Sequence, residues 1–184
     1  MTEELSKSRQ RPFYRHAAAC RIPKKMENKH ETHTKRLVFV LDRFNAIEVN
    51  LAELIATEIG AAKEKSSFIR DVLLNNSMLP FSSKVKLFLH LRALNNWPPI
   101  DTNRLHRLMH IRNQFAHCTP KHHIHVNVDD KNDKVDVTEF LMLESVANTG
   151  KIEPTDSDLA FEQFKECYAY IRAYLLALDE KPAA

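Results

Sequence analysis

Residues 40–55 place the strongest constraint on what this chain can fold into. Val40, Phe44, Ile47, Leu51, Leu54 and Ile55 recur at spacings of three and four, which gathers them into one stripe of a helix. Such a stripe is stable only when other elements cover it. The helix is expected to begin near Glu31, and Gly60 is a natural stop, because glycine enters the left-handed conformation at a helix end without a Cβ clash.

Further helical segments supply the cover. One is expected over 66–76, with Phe68, Ile69, Val72 and Leu73 inward. Residues 82–94 alternate partly like a strand, but their length, the cap candidates Ser82 and Ser83, and good helix formers favour a helix. Trp97-Pro98-Pro99 then forces a connector, since a residue before proline avoids the helical region. Asp101 or Thr102 caps a helix running to about Ala116. The last helix is expected from near Thr155, with Asp158 as a capping-box partner, to Asp179; it buries Phe164, Cys167, Tyr168, Ile171, Leu175 and Leu178.

Between the last two helices the period changes to two. Ile124, Val126 and Val128 alternate with polar residues, as do Val135 and Val137, around the polar linker Asp129–Asp133. This predicts one β-hairpin at about 123–140. With two glycines in 184 residues, a many-stranded barrel and glycine-rich phosphate loops are both excluded. The expected fold is therefore mainly α: an antiparallel bundle of about five helices spanning 31–180 as one domain, with one inserted hairpin.

Residues 1–30 lack periodicity and contain Pro12 and Pro23, so they read as a flexible, disordered arm. The charge is uneven: residues 1–36 hold ten Lys/Arg against four acids, a net +6, which leaves −3 for the remainder. A basic arm on a mildly acidic body points to RNA or another polyanion, against the simpler reading of a solvated tail. The three cysteines, Cys20, Cys118 and Cys167, form neither a disulfide framework nor a CxxC pair, which fits a reducing compartment. The longest strongly apolar run, Leu37–Leu41, is far short of the ~20 residues that span a bilayer. A cytoplasmic protein with no membrane contact is expected.

The chemistry sits in residues 105–117, LHRLMHIRNQFAH. At about 100° per residue, His106, His110, Asn113 and His117 share one polar stripe, while Leu105, Leu108, Met109, Ile111, Phe115 and Ala116 form the apolar face. Arg112 falls in the middle of that apolar arc. A buried, unpaired guanidinium costs several kcal/mol, so Arg112 must pair with an acid, reach past the core, or line a polar cleft between subunits.

IRNQFAH, with Arg112 followed by Asn113 and, after Phe115-Ala116, by His117, resembles the R-x4–6-H signature of the HEPN superfamily. The wider run from Phe81-Ser82-Ser83-Lys84-Val85-Lys86-Leu87 to His117 is similar to the mannitol operon repressor branch of that superfamily. The likeness covers about 37–117 plus the last helix; the hairpin, the basic arm and the histidine-rich turn after His117 depart from it. The resemblance implies a homodimer with the motif helices facing each other and, for catalytic members, a metal-independent endoribonuclease. It assigns His117 as acid/base, Arg112 as phosphate clamp and Asn113 as a residue that orients the imidazole or binds phosphate. Positions 112 and 117 lie about 140° apart on an ideal helix, so uniting them needs either unwinding near Pro120 or the arginine of one subunit meeting the histidine of another. The dimer is the favoured solution.

Two other readings compete. A non-catalytic regulator of the mannitol-repressor type would bind a protein or a nucleic acid, although no helix-turn-helix is apparent. A metal site at Cys118, His122, His123 and His125 is disfavoured, because neither a convincing carboxylate nor a spaced cysteine pair completes a ligand set. Cys118 as a nucleophile lacks a dedicated base. No cofactor or metal is expected.

Overall fold

The computed structural model of the chain describes residues 26–60, 62–129, 134–146 and 150–179. The order of elements is α1 (Met26–Glu58), α2 (Lys63–Phe68), a π-helical segment (Ile69–Leu73), α3 (Phe81–Leu94), α4 (Thr102–His117), β1 (Pro120–Asp129), β2 (Lys134–Val146), β3 (Ile152–Asp156) and α5 (Ser157–Asp179). The chain is mainly helical with a small antiparallel sheet.

The apolar stripe does what its spacing requires. Val40, Phe44, Ile47, Leu51 and Ile55 are all buried, and α1 packs on α3, α4 and α5. Near its start, His33 stacks on Phe115 at the end of α4, and Arg36 pairs with Asp158 at the start of α5. Gly60 adopts φ +70° where α1 stops, as its position suggested. Helical backbone starts at Met26, five residues before the expected onset, so residues 26–30 of the supposed arm belong to α1. Residues 1–25, which carry most of that arm, lie outside the described residues.

The segment after Gly60 departs from expectation. Helix α2 passes into a π-helical turn, closed by the Leu74 amide donating to the Ile69 carbonyl at 2.8 Å. The extra residue in that turn rotates the apolar stripe: Leu74 enters the core, while Phe68, Val72 and Leu73, expected inward, face solvent. Neither Ser82 nor Ser83 caps α3. Pro80 holds that position, with its carbonyl accepting from the amides of Ser83 and Lys84. Asp101 caps α4, its carboxylate accepting from the Asn103 amide at 3.0 Å.

The hairpin is longer than predicted and is one part of a three-stranded sheet in the order β1-β2-β3, both pairs antiparallel. Ile124 stands opposite Glu139, and Leu143 opposite both Pro120 and Thr155. Asp129 ends β1 instead of starting a loop; residues 130–133 lie outside the described residues. Strand β3 escapes a periodicity test because Ile152–Asp156 contains Pro154, which only an edge strand tolerates. Thr155 consequently sits in β3, and the cap of α5 is Asp156, whose Oδ1 accepts from the amides of Asp158 and Leu159 at 2.7 and 3.0 Å. At the base of the sheet Leu141 and Leu143 are buried. Farther along the ribbon, Ile124, Val126 and Val137 are exposed. No helix among the described residues is long and apolar enough to cross a membrane.

Candidate functional site

Helix α4 separates its faces as the wheel requires. Leu105, Leu108, Ile111 and Phe115 are buried, while His106, His110, Asn113 and His117 are exposed along the opposite side. Arg112, between the two, is only partly buried. Its guanidinium lies 5.3 Å from the centre of the Phe44 ring, and one terminal nitrogen donates to Asn113 Oδ1 at 3.1 Å. Its Nε is shielded from solvent with no hydrogen-bond partner.

No carboxylate among the described residues lies within ion-pair distance of Arg112. This is unexpected, because Glu48 lines the same hollow, together with Phe44, Asn76, Pro80 and Ser82. Glu48 is already occupied: Lys84 Nζ donates to its Oε1 at 2.7 Å and Asn76 Nδ2 to its Oε2 at 2.6 Å. Lys84 also donates to Asn76 Oδ1 at 3.1 Å, which closes a three-residue network. The arginine is thus held by an aromatic face and a carboxamide, and its charge is left without a counter-ion.

His117 opens on a different hollow, of about 350 Å³, which it lines with His110, Asn113, Glu144 and Ser145. Within one copy of the chain, then, Arg112 and Asn113 are joined by a hydrogen bond, and Asn113 borders both hollows. Arg112 and His117 border separate ones. The helix remains regular through His117, so local unwinding does not bring them together.

Two contributors carried no sequence signal. Gln114 is buried and donates from Nε2 to Thr155 Oγ1 at 3.0 Å and to Ser145 Oγ at 3.3 Å, which fixes α4 against the sheet behind the His117 hollow. The Glu48–Lys84–Asn76 network joins residues 36 and 28 positions apart, and such separations leave no local pattern.

The histidine-rich strand has another arrangement. A carboxylate does stand beside it, with Glu144 Oε1 3.7 Å from His123 Nε2, but Lys121 Nζ holds the other oxygen at 2.5 Å. That contact keeps the Glu144 carboxyl below its ordinary range, with His123 adding to the effect. Among the described residues no group of three or more His, Cys, Asp or Glu is arranged to hold a metal ion. Burial pushes the Cys118 thiol upward, away from the thiolate a nucleophile needs.

No protein-family model matches the chain, and no curated protein or solved structure shows significant similarity to it.

Proposed function

We propose that this chain is a HEPN-like protein that acts on RNA as a metal-independent endoribonuclease, working as a homodimer in the cytoplasm. The observation that carries this reading is the uncompensated guanidinium of Arg112. A partly buried cation over an aromatic ring, with the carboxylate of its hollow already consumed by Lys84 and Asn76, is matched to an anion from outside the chain. A phosphodiester is such an anion.

The reaction divides between the named groups. Cleavage begins when the ribose 2′-oxygen attacks the adjacent phosphorus, the new P–O2′ bond forms and the P–O5′ bond breaks. The products are a 2′,3′-cyclic phosphate and a 5′-hydroxyl. His117 takes the 2′-hydroxyl proton, and a protonated imidazole, from His117 of a second copy or from His110, gives one to the 5′-oxygen. Arg112 braces the extra negative charge on the non-bridging oxygens, and Asn113 keeps the guanidinium in place. Because Arg112 and His117 border separate hollows in one copy, a two-fold pairing of α4 helices supplies the missing proximity.

The test is incubation of the full chain with labelled single-stranded and structured RNA in EDTA, beside Arg112→Ala and His117→Ala. Cyclic-phosphate ends that disappear in both variants support the enzyme. RNA left intact by folded protein at high concentration refutes it. The second reading, a non-catalytic regulator of the mannitol-repressor type, is favoured by that same separation of Arg112 from His117, since a binding protein needs the cation but not the imidazole beside it.

A further inference from the structure

We propose that the cleft between α1 and the π-helical segment is a nucleobase subsite, used together with the Arg112 hollow to hold one nucleotide. The inference rests on the reading of Arg112 as a phosphate ligand. The cleft is an open depression of about 440 Å³, a volume within the range of small-molecule sites, and Glu48, Asn76 and Lys84 line it. Glu48 and Asn76 also line the Arg112 hollow, so the two spaces lie on either side of these side chains.

The chemistry of the cleft selects the ligand. Glu48 and Lys84 cancel each other, and Arg70 is cancelled by Asp71 and Glu53, with contacts of 2.7 and 3.1 Å to the Asp71 oxygens and 3.7 Å to Glu53. The five charges sum to −1, so an anionic group is turned away from the cleft and towards Arg112. What remains is suited to a flat, uncharged heterocycle. Val49, Ala52 and Leu74 supply an apolar wall, and the guanidinium of Arg70, bonded twice to Asp71, presents a plane of the kind on which bases stack. Asn45 adds a carboxamide able to read a base edge. Lys84 uses two of its three ammonium hydrogens, on Glu48 and Asn76, and has no third acceptor among the described residues. The π-helical turn makes the wall possible, since its added residue sends Leu74 into the core and leaves Arg70 and Asp71 at the rim. A ligand with a phosphate at one end and a neutral hydrogen-bonding ring at the other is a nucleotide.

Isothermal titration of the full chain with the four nucleoside 3′-monophosphates, inorganic phosphate and ribose 5-phosphate tests this. At least one nucleotide should bind tenfold or more tighter than ribose 5-phosphate. Val49→Trp, at an exposed position that fills the cleft, should remove that advantage while leaving inorganic phosphate binding unchanged. Asn45→Leu should reduce it as well, and thermal melts establish that both variants fold. The proposal is overturned if all four nucleotides bind no tighter than ribose 5-phosphate, or if folded Val49→Trp retains the full advantage. Base-dependent binding without RNA cleavage would discard the ribonuclease and keep the subsite. Cleavage indifferent to both substitutions, with no base-dependent binding, would keep the ribonuclease and discard the subsite.

Discussion

Lys84 Nζ lies 2.7 Å from Glu48 Oε1, and both side chains are almost wholly removed from water, at 3% and 8% exposure. The pair ties α3 to α1 at the boundary between the two hollows. Breaking it from one side strands a charge in the core. Lys84→Met is expected to cost about 3–5 kcal/mol in urea unfolding, whereas the double variant Glu48→Leu/Lys84→Met should recover much of the loss. Recovery stays incomplete because Asn76 then loses both partners. A single variant losing under ~1 kcal/mol would mean that water reaches the pair.

How much of this was legible in the sequence depends on the range of each interaction. Val40, Phe44, Ile47, Leu51 and Ile55 announce α1 because a helix writes its buried face into local spacing. The same wheel puts Arg112 in the middle of the apolar arc, whereas the side chain is only partly buried, with its guanidinium over the Phe44 ring, because a long stem lets the charge leave the packed face. Glu48 and Lys84 read as ordinary helix charges, because nothing within one turn of either reveals a partner 36 residues away. The π-helical turn was hidden for a related reason. Phe68, Val72 and Leu73 have helical spacing, and one inserted residue reverses which of the apolar side chains point inward. Strand β3 depends on its pairing with β2 and on Gln114, not on its own composition.

That dependence gives a second expectation. Gln114→Leu leaves the hydroxyls of Ser145 and Thr155 without their donor at the junction of α4 and the sheet. A loss of about 1–3 kcal/mol should follow, and amide hydrogen exchange should accelerate first in β3. Exchange that rises equally in α1 would show that the glutamine supports the whole core instead.

The Glu144 carboxyl titrates below its ordinary value, chiefly through its hydrogen bond from Lys121. A depressed folded pKa means the contact stabilises the fold fully above the unfolded value, near 4.5, and fades as pH falls through the lower folded value. In a carbon-detected NMR titration, Lys121→Ala should return the Glu144 midpoint towards the ordinary glutamate range. An unmoved midpoint would assign the depression to His123.

Burial raises the Cys118 thiol, so alkylation by iodoacetamide at pH 8 should run slower there than on free cysteine. The modification is followed by peptide mass spectrometry. A rate above that of free cysteine would reopen a nucleophilic role for Cys118.

Under the proposed function, substitution of Arg112 should affect binding and folding differently. Its guanidinium meets the Phe44 ring and Asn113 Oδ1, neither of which is an acid, so the fold has little to lose when the charge is removed. Arg112→Met keeps the aliphatic packing on Phe44 and is expected to change unfolding free energy by less than about 1 kcal/mol. RNA binding should respond differently: affinity should fall, and the slope of log Kd against log salt should flatten by about one unit, the signature of one lost phosphate contact. Fluorescence anisotropy with a labelled single-stranded RNA over a salt series measures both quantities on the same variant. If instead stability dropped by ~3 kcal/mol with the salt slope intact, Arg112 would be holding the core together and the phosphate assignment would fail.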